Sequence, residues 1–236
     1  MLTGEPARLL AGITTRIEQV LASVGEVRDA ALGLAAAAGA AGRCLLSTDL
    51  EALQQPVAEV LTRHKGFAAG AGIVLAPGVL TDAARCLEWW WATPSGQPSK
   101  LHVDLDPQSP EFYDYTSLPW YREPERTGQR AVTGPYVDYI CTREYTFTVS
   151  VPLLVDDRFA GVAGADILAE EVERLALPAL ASLPSPVALV SGTGRVIASN
   201  TTRAVPGSVL GLAQATPDLW HSTSLPWSLL AGPFSS

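Results

Sequence analysis

Apolar residues at Leu10, Ile13, Ile17, Val20, Val24, Val27, Ala31 and Leu34 recur at alternating spacings of three and four, which places them on one stripe of a helix. Arg16, Glu18, Gln19, Glu26, Arg28 and Asp29 fill the positions between. So long a run exceeds an average globular helix. Its heptad-like spacing suits two arrangements equally well, and they are compatible: a seam for a second helix, and a long helix laid on its own domain and loosened by Gly12, Gly25 and Gly33. A second helix is expected next, with Asp49 as its N-cap and Leu50, Leu53, Val57, Val60 and Leu61 on its apolar face.

From residue 66 the pattern changes to short apolar runs separated by turn residues. Strands are expected over 71–75, 86–91 and, by alternation, 100–105. Residues 106–134 are dense in Pro, Asp, Tyr and Trp and read as a structured loop region with room for one short helix. Three further strands are expected at 136–140, 145–151 and 159–166, with Asp156-Asp157 as the turn between the last two. A helix over 170–177 should stop at Pro178, and a hairpin should follow over 187–198 around Ser191-Gly192-Thr193-Gly194. No third strand of comparable strength is visible beyond it, and Trp220 and Trp227 should pack back on the body. Helices flanking strands at hairpin spacing predict an α+β fold. The expected units are a long N-terminal helix (1–48), a main lobe (49–183) and an abbreviated second lobe with the C-terminal tail (184–236).

Composition narrows the chemistry. Of 236 residues, 47% are hydrophobic and 17% charged, enough apolar material for a sizeable core and too much for general disorder. The formal charge is −8 and Lys65 and Lys100 are the two lysines. With no cationic stripe, binding to a phosphate backbone is not expected, and the acidic balance mildly favours cationic ligands. Cys44, Cys86 and Cys141 form no CxxC pattern and read as reduced, buried thiols, with a Cys86–Cys141 disulfide the minority reading. His64, His102 and His221 lie too far apart for a metal motif, and there is no GxSxG elbow, P-loop or dinucleotide fingerprint. The chain is therefore expected to be non-catalytic, without metal or cofactor. The N-terminus lacks a signal-peptide pattern, and the Ala/Gly-rich stretch 30–42 is too short and weakly hydrophobic for a bilayer. A cytoplasmic location is expected, the alternative being an excised extracytoplasmic domain.

The string Tyr113-Asp114-Tyr115-Thr116-Ser117-Leu118-Pro119-Trp120-Tyr121 resembles the signature of double Cache sensor domains, typically Tyr-Asp-Pro-Arg-x-Arg-Pro-Trp-Tyr. Residues 134–138 (GPYVD), 148–152 (TVSVP) and 161–167 (GVAGADI) resemble that family's later strands, and 188–199 is similar to the start of its second lobe. The resemblance implies a PAS-like antiparallel sheet of about five strands whose first lobe holds a small organic ligand. It implies a ligand set of Tyr113, Trp120, Tyr136 and Asp166; Tyr121 and a second acid, Asp138, which could instead face solvent, are further candidates. Of the Trp89-Trp90-Trp91 run, Trp91 is the candidate for the pocket. The family's carboxylate-clamping arginine falls at Leu118, so the resemblance is closer to the amine-recognising branch than to the amino-acid one.

An aromatic box with a carboxylate suits an ammonium group, because cations bind ring faces and a buried cation needs an opposite charge. Against this stands a simpler role for Asp166 as the N-cap of the following helix, and for the aromatics as plain core. The expected function is reversible binding of a small cationic metabolite, with the signal passed to a separate regulator or transporter and a homodimer formed through the first helix. Alternatives are an amino-acid sensor of the same fold, or a regulatory subunit with a vestigial pocket.

Overall fold

The computed structural model describes residues 3–93, 96–137, 145–210 and 218–234. Helix α1 (Gly4–Ala40) runs for 37 residues. Its stripe, from Leu10 through Ile13, Ile17, Val20, Val24 and Val27 to Ala31, is buried in the same core as Ile73, Phe147, Val149 and Ile167. Of the two arrangements open to that stripe, the helix is laid on its own sheet, and the seam expected to pair two copies is covered by the chain itself.

A 3-10 turn (Ser47–Leu53) leads into α2 (Gln54–Arg63). Asp49 caps this turn rather than α2: its carboxylate accepts from the Leu46 N–H at 2.9 Å and holds Arg43 at 2.6 and 2.9 Å.

The main sheet has six strands, one more than the resemblance implies. They are β1 (Ala68–Leu75), β2 (Cys86–Trp91), β3 (Ser99–Lys100), β4 (Ala131–Val137), β5 (Tyr145–Val155) and β6 (Arg158–Leu168), in the order β3-β2-β1-β6-β5-β4. All its pairings are antiparallel. The alternation over 100–105 yields only the two-residue β3. The turn between β5 and β6 is Asp156-Asp157, both at positive φ (48° and 58°). That twist matches a two-residue hairpin, and Asp tolerates it better than most residues. Helices α1, α2 and α4 (Ala169–Ala181) cover one face of the sheet. Pro178 sits inside α4 and does not end it. Over the opposite face lie a short 3-10 turn (Tyr115–Ser117) and α3 (Pro119–Thr127), the helix anticipated within 106–134.

The second sheet has four strands rather than two, in the order β8-β7-β10-β9: β7 (Val187–Val190), β8 (Val196–Ser199), β9 (Asp218–His221) and β10 (Ser228–Ala231). The last two were not legible because each is four residues long and neither alternates cleanly. Val187, Leu189, Leu229 and Trp227 belong to the main core, and the Trp227 ring packs tilted against Phe147, 5.1 Å between centroids. A smaller apolar cluster, including Ala188, Val190, Val196 and Leu230, lies on the other side of this sheet.

Candidate functional site

Successive side chains on a strand point to opposite faces, so each strand of the main sheet supplies one set to the helices and another to the face under α3. The second set includes Val74 on β1, Leu87 and Trp89 on β2, Thr148 on β5 and Asp166 on β6. The covering segment is tied down by its own polar groups. The Asp114 carboxylate accepts from the Thr116 N–H at 3.2 Å and its hydroxyl at 2.5 Å, the local turn that Asp favours. The Tyr115 hydroxyl donates to the Leu75 carbonyl at 2.8 Å. Pro119 opens α3, where a missing N–H costs nothing, and the Ser150 hydroxyl donates to the Trp120 carbonyl at 2.8 Å.

Between sheet and cover lies a cavity of about 20 Å³, lined by Val74, Leu87, Trp89, Leu101, Tyr113, Trp120, Tyr136, Thr148 and Asp166. That is room for a water or two, or for a group of similar size. Among the described residues the lining is aromatic and aliphatic except for the hydroxyls of Tyr113, Tyr136 and Thr148 and one carboxylate. Asp166 is only 4% exposed. Thr148 donates to Asp166 Oδ1 at 2.6 Å, and the Tyr136 hydroxyl lies 2.5 Å from Thr148 Oγ1. A threonine has one proton to give, so Tyr136 donates to Thr148 and both dipoles run toward the carboxylate. A bulge between Thr133 and Tyr136, where Gly134 takes φ 124°, aims Tyr136 at this chain. A Cβ at position 134 would lie 2.7 Å from the Thr146 carbonyl.

The cavity brings together Tyr113, Trp120, Tyr136 and Asp166. Asp166 lies within β6, and the N-cap position of α4 is Leu168, so Asp166 does not cap that helix. Tyr121 is not in the lining: its ring is wedged among Tyr115, Trp120 and Phe159, and burial pushes its phenol pKa up. Trp91 also lies outside the lining, 36% exposed at the end of β2. Trp89 occupies the cavity wall instead, because residues two apart share a face but only Trp89 lies level with Gly72 and Gly164. Asp138 and Cys141 fall outside the described residues. Cys86 is a free, buried thiol whose pKa is pushed up to about 12 by burial, with Glu88 adding to the effect. Cys44 is free but exposed rather than buried.

Leu118 packs against the aromatic cluster beneath α3. The arginines near it in sequence turn elsewhere: Arg126 pairs with Glu123, Arg130 with Glu18, and Arg122 lines a separate groove toward the second sheet. Two contributors were missed in the sequence, Trp89 and Thr148. For Thr148 a signal existed in the polar alternation Thr146, Thr148, Ser150, three buried hydroxyls on an otherwise apolar strand. Among the described residues no cluster of His, Cys, Asp or Glu is placed to hold a metal ion, and no helix is long and apolar enough to cross a membrane.

Residues 61–174, which include every residue of the cavity lining, match the family model described as methyl-accepting chemotaxis protein-like, first PDC sensor domain. Among solved structures the chain is similar to methyl-accepting chemotaxis protein X (18% identity, TM-score 0.55, covering 94% of this chain and 96% of that one). It is also similar to the extracellular domain of the histidine kinase candidate mmHK1S-Z2 (15% identity, TM-score 0.55, covering 78% and 81%). A more distant likeness is to the ligand-binding domain of the Campylobacter jejuni chemoreceptor Tlp3 in complex with L-valine (16% identity, TM-score 0.47, covering 87% and 76%).

Proposed function

We propose that this chain is a non-catalytic sensor module whose cavity takes a small cationic metabolite, a simple or methylated amine. The observation that carries the reading is the buried Asp166 carboxylate in a cavity walled by Trp89, Tyr113, Trp120 and Tyr136, with no Lys or Arg among the described lining residues. An ammonium there meets a carboxylate oxygen and ring faces, each ring contact being worth ~0.5–2 kcal/mol. An amino acid brings a second carboxylate. It would face Asp166, and Leu118 stands where the resemblance would place a guanidinium to receive it bidentately. The cavity volume favours the smallest amines, and a quaternary ammonium requires the cover to move outward. The match of 61–174 to a sensor-domain family supports the sensing role.

The compartment belongs to the same proposal. The free thiols of Cys44 and Cys86 suit a reducing, cytoplasmic setting, while the likeness to a domain described as extracellular favours the alternative.

A thermal-shift series tests the ligand class, because a ligand that binds only the folded state raises stability by mass action. Methylamine, dimethylamine and ethylamine should raise the melting temperature more than glycine or alanine do. Leu118→Arg should move the preference toward the amino acids, where the larger side chain fits without overpacking. Stabilisation by amino acids and not by amines refutes the amine reading.

A further inference from the structure

Trp89 lies across the cavity face of the sheet on a floor of glycine. Ideal Cβ atoms at positions 70 and 164 would come within 2.7 Å and 3.2 Å of its indole, and one at position 72 within 2.8 Å of its Cα. Gly70 on β1 and Gly164 on β6 thus lack side chains where this ring lies, and Gly72 lies against the strand backbone beside it. The side chain is 5% exposed, and its Nε1–H is buried with no hydrogen-bond partner among the described residues. Buried indole N–H groups normally find an acceptor. The same Cβ position at Gly70 that lies 2.7 Å from Trp89 Nε1 lies 3.5 Å from Asp166 Oδ2. The unpartnered donor and the carboxylate therefore both lie beside Gly70, on the cavity face of the sheet.

We infer that the ligand of this cavity carries a neutral hydrogen-bond acceptor close to its ammonium group, and that Trp89 Nε1–H donates to it; the class is a small amino alcohol or amino ether. This rests on the amine reading above and sharpens it. The ammonium faces Asp166 and the oxygen faces the indole, so one short molecule spans both groups. A neutral oxygen fits better than a carboxylate because Asp166 Oδ2 lies near the indole, on the same side of Gly70, and would repel an anion. Trp89 is thereby the specificity-determining residue between an amino alcohol and a bare alkylamine, which offers the N–H nothing.

Calorimetric titration with ethylamine, ethanolamine and glycine, on the full chain and on Trp89→Phe, tests this. Ethanolamine should bind the parent chain roughly five- to tenfold tighter than ethylamine, the size of one neutral hydrogen bond. Trp89→Phe should erase that preference, the ratio of the ethanolamine and ethylamine affinities being the readout whatever the variant does to both. Where the variant does not fold, the parent chain decides: the Trp89 indole N–H proton resonance should move downfield with ethanolamine and not with ethylamine. Equal binding of the two amines, or a preference that survives in Trp89→Phe, overturns the inference and leaves the amine reading standing. Glycine binding tightest, with loss in Trp89→Phe, overturns the neutral acceptor and the amine reading together. Binding by none of the three also overturns both.

Discussion

On β6, Ala163, Ala165 and Ile167 belong to the helix-covered core, while the intervening Gly164 and Asp166 face α3 and the cavity. On β5 the same division separates Phe147, Val149 and Val151 from Thr148 and Ser150. Both sets are buried, yet they differ in kind. The helix face is aliphatic and aromatic and fills its space, which is what maximal apolar burial requires. The cavity face keeps hydroxyls, a carboxylate and bare glycine backbone, groups that are costly to bury without partners. A sheet selected for stability alone would not build its second face that way. The difference marks the cavity face as the one shaped by something other than folding.

The largest test of this contrast falls on the helix face. Phe147→Ala removes a fully buried ring that touches Trp227 and should cost ~3–5 kcal/mol, read as a lower denaturant midpoint in equilibrium unfolding. On the cavity face, Asp166→Asn keeps an oxygen to accept from Thr148 but removes the charge. It should weaken amine binding by ~2–5 kcal/mol and shift the unfolding midpoint by much less than Phe147→Ala does. Unchanged amine affinity would show that the carboxylate does not meet the ammonium.

The smallest effect concerns the layer beneath the helix face. His64 Nε2 lies 2.9 Å from the Ser23 hydroxyl between α1 and α2, and burial holds its pKa below the usual 6.5, with Arg63 and Arg16 adding to the effect. The unfolded chain then binds more protons than the folded one below pH ~6.5, so this contribution is present above that pH and is lost as pH falls through the lowered folded value. His64→Gln, which keeps a group able to meet Ser23, should flatten the fall in melting temperature across that acid window. An unchanged slope would show that other groups set the acid response.

Much of this was legible residue by residue. The alternating three-four spacing from Leu10 placed α1 because side chains on a helix return to one face at that period. Asp156-Asp157 placed the hairpin because few residue pairs accept left-handed backbone next to each other. Trp89 was harder. Trp89 and Trp91 share a face by parity, and nothing in the run itself says which of them lies over the glycines of β1 and β6. β9 and β10 were invisible for a related reason, since β10 is held by its pairing with β7, and β9 by its pairing with β10, more than by any pattern of their own.

By itself the sequence determined the long helix, the main hairpin and the α+β class, all properties of local period and turn chemistry. The meeting of Thr148 with Asp166 was decided by tertiary structure. The Asp156-Asp157 turn sets Leu154 opposite Phe159, and continuing that register would bring Thr148 opposite Ala165. A bulge between Leu153 and Leu154 moves the pairing by one, so that Leu153 meets Gly161 and Thr148 meets Asp166. Since a one-residue slip carries a strand's side chains to the opposite face relative to its partner, the bulge is what places the hydroxyl and the carboxylate on the same side of the sheet. No turn rule or hydrophobic period encodes that extra residue; it follows from how both strands pack between α1 and α3.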